Sequence, residues 1–196
     1  MDATYYKGWT QLKSGKLFYP LLDEPNFEDV TLNDIAHGIS RQFRFGGHLA
    51  DYTVAEHCHV LYFNVPDKLK LAAIFHDSIE GLGFPDVQAP FKESPLLTGY
   101  RTLDHELTVK LFRFLGIPEE DLLTLKEFDF KLASSEAQAF FRMGLAQPHT
   151  EWTSWIKANP GLKPLKSKIR CLPMDIAKSW WLSLASSYPT PFKKGT

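Results

Sequence analysis

The residues best placed to do chemistry are His76 and Asp77, in Ala73-Ile74-Phe75-His76-Asp77-Ser78-Ile79-Glu80. An imidazole and a carboxylate stand side by side in a strongly apolar run, with a second carboxylate one helical turn on. Burying charge without a partner costs several kcal/mol, so the pair needs a compensating group. A divalent cation meets that need with one ion. Two further groups have the right type and place. His57 follows the start of a capped helix, and Asp129 lies on the apolar stripe that runs from Leu125 to Leu132. Two imidazoles and two carboxylates suit Mn, Fe, Co, Zn or Mg, and they leave coordination positions for water and substrate.

These ligands require helices to carry them. From Thr31 onward, Leu32, Ile35, Ala36, Ile39 and Phe43 recur at helical spacing, and Thr31 with Asp34 caps the start. Thr53-Val54-Ala55-Glu56 reads as a capping box for a helix that Pro66 ends, and a third helix is expected over about 67–79. Gly81–Pro95 reads as a loop carrying Asp86 and Lys92. Helices over about 96–115 and 118–144 follow, the second with Leu122, Leu125, Leu132, Ala133, Phe140 and Met143 on its apolar stripe. Residues 147–164 read as irregular, with Trp152 and Trp155 packing back. A last helix over about 174–187 presents Ile176, Ala177, Trp180, Trp181 and Leu184. Near the N-terminus, Trp9–Lys13 and Lys16–Tyr19 around Ser14-Gly15 form a short hairpin. The expectation is all-α: one domain over 1–196, with a hairpin or flap in 1–30, a metal-binding helical core in 31–144 and a C-terminal extension in 145–196.

Composition narrows the partners. With 22 Lys+Arg against 23 Asp+Glu, the net charge of -1 offers no polycation for a nucleic-acid polymer, so an anionic ligand must meet a local basic site. Two cysteines, Cys58 and Cys171, make no disulfide framework and fit a reducing compartment. No apolar run reaches membrane-spanning length and no signal-peptide pattern is present, so the expectation is cytoplasmic, with no membrane partner. Cys58 is expected on another helical face from His57, as core. His37, His48, His59, His105 and His149 have no stronger claim than packing or solvent.

The ordered set Val54-Ala55-Glu56-His57, His76-Asp77-x-x-Glu80 and Asp86-x-x-x-Pro90-x-Lys92, then Asp129 with Leu132 and Glu136, resembles the HD-domain phosphohydrolases. Within them it is most similar to the YfbR-type 5′-deoxynucleotidases and the phage DatZ-type dATP triphosphohydrolases. Asp34–Gly38 and Arg44-Phe45-Gly46-Gly47-His48 resemble the entry segment of phage and bacterial members. The likeness covers about residues 16–143. It implies an HD helical bundle whose His57, His76, Asp77 and Asp129 hold a catalytic divalent ion. Glu80 and Asp86 would position and deprotonate the attacking water, Lys92 would meet phosphate oxygens, and Arg44 would reach phosphate or sugar. Phe45 stands where the bacterial nucleotidases usually carry the tryptophan that packs on the nucleoside. The Glu80–Asp86 interval is one residue longer than the usual form.

The resemblance therefore implies a metal-dependent hydrolase of 5′-deoxynucleotides: a dNTP triphosphohydrolase, a 5′-deoxynucleotidase, or both. Its substrate would be a small molecule, and the chain would form a homo-oligomer. Two other readings stay open. One is an HD hydrolase of another phosphate, such as (p)ppGpp or a cyclic nucleotide. The other is a metal-stapled nucleotide-binding module without turnover. On residue type alone, Lys92 reads equally as a surface lysine and Arg44 as a cation at a helix C-terminus.

Overall fold

In the computed structural model, which describes residues 8–193, helices surround a core built mainly from the first half of the chain. The hairpin pairs β1 (Thr10–Gln11) antiparallel with β2 (Leu17–Phe18), with Gly15 in the turn. The helices are α1 (Leu32–Ile39), α2 (Val54–Asn64), α3 (Lys70–Phe75), α4 (Ala89–Lys92), α5 (Thr98–Leu115), α6 (Glu119–Arg142), α7 (Thr150–Ala158) and α8 (Met174–Ala185). The all-α architecture with a small N-terminal hairpin is thus observed. None of these helices is long and apolar enough to cross a membrane.

The start of α1 carries the capping box anticipated from Thr31 and Asp34. The Thr31 hydroxyl accepts from the Asp34 N–H, and the Asp34 carboxylate accepts from the Thr31 N–H at 3.0 Å. α8 packs across α1, α2 and α3, closing the bundle from the C-terminal side. An aromatic chain through Phe18, Phe27, Phe114, Phe192 and Phe75, with neighbouring ring centroids 5.4–6.0 Å apart, ties the hairpin, α5 and the C-terminal tail to α3.

Several expectations are corrected: Gly81–Pro95, read as a loop, contains α4, and Phe43, read on the first helix, lies beyond its end at Ile39. Helix α3 is not continuous to Ile79: it ends at Phe75, and Ser78 N–H donates to the Phe75 carbonyl three residues back. The cause is distant, because Trp181 of α8 donates its indole N–H to the Ile74 carbonyl at 2.8 Å, the acceptor a continuing helix would have used. The capping box at Thr53 is only half present. Thr53 caps α2, but the Glu56 carboxylate turns away to accept from the N–H groups of Arg170, Cys171 and Leu172. Residues 147–164 are not wholly irregular, since 150–158 form α7. Met143 and Ile176, expected to face inward, are exposed. Trp152 and Trp155 do pack back, against Phe45 and Phe130.

Candidate metal centre

Three helical elements converge on one point. α2 presents His57, the tight turn after α3 presents His76 and Asp77, and the middle of α6 presents Asp129 and Glu136. The His57 Nε2 lies 3.0 Å from Asp129 Oδ1, 3.3 Å from His76 Nε2 and 3.7 Å from Asp77 Oδ2. His76 Nε2 lies 3.1 Å from the same Asp77 oxygen. His57, His76 and Asp129 thus lie within ligand reach of one another, and Asp77 joins them at His76.

The far side of each ring explains which nitrogen points inward. Nδ1 of His57 donates to Glu136 Oε1 at 2.6 Å, and Nδ1 of His76 donates to the Ala73 carbonyl at 3.0 Å. Both tautomers are thereby set with Nε2 free, as second-shell partners do for imidazole ligands. Two Nε2 lone pairs facing each other at 3.3 Å repel unless a positive charge joins them. Asp77 Oδ2, Asp129 Oδ1 and Glu136 Oε2 are also buried without hydrogen-bond partners among the described residues. The cluster calls for a cation.

The charge balance agrees. The three carboxylates Asp77, Asp129 and Glu136 face one guanidinium, Arg44, at 3.6–3.7 Å from each, which leaves two negative charges near neutral imidazoles. A divalent cation cancels them. In its absence burial works against charge on His76, yet Asp77 outweighs burial and holds the imidazole well above its ordinary value. Burial likewise opposes charge on Asp77, but the His76 imidazole keeps its carboxyl at about 2. His57, His76, Asp77 and Asp129 fit a divalent metal by donor type and by these orphaned atoms.

Cys58 belongs to the packing behind the site. It is fully buried, with Sγ 4.0 Å from His76 Nδ1, and with His76 and Asp77 it makes a second group of possible ligand atoms; without a metal, burial pushes the thiol up to about 11. Arg44 does not cap α1; its guanidinium is drawn into the cluster. Phe45, next to it, adopts a left-handed backbone (φ 57°), and its ring packs edge-on against Phe140 and Trp152 at centroid distances of 5.9 and 5.7 Å. That conformation is costly for a bulky residue; it sets the ring in an aromatic cluster while keeping it under the Arg44 guanidinium, 5.7 Å from the ring centroid.

Glu80 is buried, and its Oε2 has no hydrogen-bond partner among the described residues. Burial, then the charges of Asp77 and Asp86, push its carboxyl well above the ordinary range, and burial also raises Asp86. Two acids whose carboxyls are raised above their ordinary range, Glu80 far more than Asp86, thus stand beside the ligand cluster. Their loop is pressed against α1 at Gly38 and Gly81, where a Cβ on Gly38 would collide with the Gly81 carbonyl and one on Gly81 with the Ile35 carbonyl. Lys92 does not reach the ligands. Its ammonium pairs with Asp104 of α5 at 2.6 Å and lies 5.9 Å from the Tyr100 ring. The residue whose importance exceeds its sequence signal is Glu136, quoted above only within a motif: one carboxylate oxygen orients His57 and the other faces Arg44. Its position seven residues after Asp129, on the same helix face, was the available clue.

Over 156 residues, covering 76% of this chain and 85% of the relative, the sequence is 30% identical to the uncharacterized protein YfdR of Escherichia coli K12. The chain belongs to the YfdR family. A second relative, the uncharacterized protein RCAP_rcc00048 of Rhodobacter capsulatus, is 30% identical over 122 residues, covering 57% of this chain and 60% of that protein. No family model and no solved structure matches. What this YfdR-family site does must therefore be argued from its own geometry.

Proposed function

We propose that the chain is a metal-dependent phosphohydrolase of the HD type acting on 5′-deoxynucleotides, as a dNTP triphosphohydrolase, a 5′-deoxynucleotidase or both. The observation that carries this reading is the surroundings of the ligand cluster. A structural metal needs ligands, but not a buried guanidinium and two further acids, Glu80 and Asp86, at its edge.

A divalent cation held by His57, His76, Asp77 and Asp129 would supply charge neutralisation to a phosphoryl oxygen and a lower pKa to water. Arg44 presents a planar fork suited to bidentate contact with phosphate oxygens, and it stabilises charge as that charge develops on them. Glu80 and Asp86 would share the proton traffic at their carboxyl oxygens, the ionised member of the pair taking a proton from water and the protonated member giving one to the leaving oxygen; such help is worth about 10²–10⁴-fold. Phe45, with Trp152 behind it, places an apolar aromatic surface beside the phosphate end, which favours a nucleoside over a bare phosphate ester. Lys92 ties the loop to α5 through Asp104, and a direct phosphate contact requires exchange of that ion pair. The exposed Trp9, Leu21 and Leu22 beside the hairpin are where a second copy of the chain would pack.

The engagement of both Lys92 and Arg44 with protein carboxylates favours one competing reading, a metal-stapled module that binds without turnover. Product chromatography separates the two. Purified protein loaded with Mn, Co, Zn or Mg is incubated with each dNTP and dNMP. Triphosphate plus nucleoside, or phosphate from monophosphates, is expected, with loss in Glu80→Ala. Absence of any released phosphate species, with Glu80→Ala behaving as wild type, would remove the hydrolase reading.

A further inference from the structure

Gln42 lies between the end of α1 and Arg44, and its hydrogen bonds span three parts of the site. Its main-chain carbonyl accepts from the N–H of Val54, the first residue of α2, at 3.0 Å. Its side-chain amide donates to the Glu80 carbonyl and, at 2.7 Å, to the Phe84 carbonyl. The amide oxygen accepts from the Asp86 N–H at 2.6 Å. The partners fix the amide's orientation, since a flipped amide would set its oxygen against two carbonyls and its NH₂ against an N–H.

These contacts matter because of what surrounds them. No side chain among the described residues hydrogen-bonds to the carboxyl of Glu80 or of Asp86. Residues 84–88 belong to no helix or strand, so their backbone groups have no ladder to join. The places of the two carboxyls are therefore set by their backbone, which Gln42 grips at both ends of the Glu80–Asp86 interval. The same residue anchors the start of the helix that carries His57 and stands two positions before Arg44. One residue, through its main-chain carbonyl and its side-chain amide, thus links the ligand helix, the guanidinium and the acid pair.

We infer that Gln42 is a positioning residue, setting Glu80 and Asp86 against the ligand cluster and Arg44. The inference rests on the reading of Glu80 and Asp86 as the proton-handling pair. A leucine at this position keeps the bulk and removes all three side-chain bonds. A glutamate keeps the acceptor for Asp86 N–H, loses both donors when ionised and regains one when protonated. Because a misplacement of about 1 Å costs on the order of 100-fold, Gln42→Leu is expected to lower kcat by about 10–100-fold. KM should stay within about threefold on the same reasoning. Metal stoichiometry should remain that of the wild type, because no ligand is touched. Gln42→Glu should recover part of the rate as pH falls, a rescue that a merely destabilised protein would not show.

The experiment compares wild type, Gln42→Leu and Gln42→Glu, each loaded with Mn(II), for metal content, kcat, KM and pH–rate profile. Amide hydrogen exchange over residues 80–86 is measured on the same samples. An unchanged kcat, or a loss that follows metal content, overturns the inference. Should the wild type turn over no nucleotide, the phosphohydrolase reading falls on its own. Exchange then decides the clamp: faster exchange confined to 80–86 in Gln42→Leu supports it, and an unchanged rate overturns it.

Discussion

On the inner face of α2, His57 is fully buried with both ring nitrogens engaged, one by Glu136 and one by the ligand cluster. On the outer face, two residues along, the His59 ring packs 4.7 Å from Trp180 and 5.0 Å from Phe63, and its Nδ1 has no hydrogen-bond partner among the described residues. Burial pushes His59 down to about 4, with Arg170 adding to the effect, whereas His57 is raised because Glu136 and Asp129 overcome its burial and the Arg44 charge. Residue type and helix are the same; the neighbouring carboxylates differ. A histidine is placed to serve as a ligand where other elements bring acids to both of its nitrogens, and stays packing where they bring aromatic rings.

The largest effect should follow from breaking the inner face at a ligand. Asp129→Asn removes a charge from the cluster and leaves Arg44 with one acid fewer. Metal content measured by elemental analysis should fall to a minor fraction, and hydrolysis should drop by about 100-fold or more, above the 10–100-fold typical of outer-shell changes. Retention of full metal content would remove Asp129 from the ligand set. Glu136→Gln sharpens the comparison, because it leaves every ligand in place and alters only what orients His57. The same rule expects a loss of about 10–100-fold in metal affinity, read by competition with a chelator. An unchanged affinity would mean that the 2.6 Å contact is structural only.

Between these two faces sits Glu56, an acid adjacent to His57 in sequence and unrelated to it in role. Its carboxylate accepts from three backbone N–H groups at 2.7–3.2 Å and so docks the segment before α8. Glu56→Gln sets an NH₂ against N–H donors, at a cost of about 2 kcal/mol in chemical denaturation. Metal content should not change. A fall in metal content matching the fall in stability would show that this clamp and the centre are one unit.

This contrast also explains what was legible in the sequence. His57, His76, Asp77 and Asp129 could be singled out as candidates because ligand chemistry admits few residue types, and because Asp129 interrupts an apolar stripe where an acid needs a partner; the structure brings them to one place. The breaks and clamps could not. Helix α3 stops at Phe75 because an indole more than a hundred residues later takes the Ile74 carbonyl, and no local pattern records that. Glu56 satisfied the capping-box pattern, but three distant backbone N–H groups were better partners than its own N-cap. Helix α7 opens on His149, whose ring rather than a Ser, Thr, Asp or Asn side chain accepts the first free N–H, and no residue of α7 is fully buried. Gln42 is one polar residue among many until the loop it grips is in place. Groups that act through their own chemistry leave a mark in sequence, whereas groups that act by holding a distant backbone leave almost none.

The smallest effect tests the outer face. His59 is neutral in the folded chain down to about pH 4, against an ordinary value of 6.5. Below that ordinary value the unfolded chain binds a proton that the folded chain refuses. The stability associated with neutral His59 is therefore full above pH 6.5 and is lost progressively between about pH 6.5 and 4. Replacing it with phenylalanine keeps the stack against Trp180 and Phe63 and removes the titration. The variant should lose less stability than wild type between pH 7 and pH 5, by about 1 kcal/mol once the partial exposure of the ring to water is allowed for. Denaturant titrations at the two pH values measure this difference, and they must be made with the metal content held equal, because the inner-face ligands also take up protons. An equal acid loss in both proteins would mean that Arg170 and the aromatic rings do not hold His59 neutral. In that case the two faces of α2 would differ in their partners but not in the charge they tolerate.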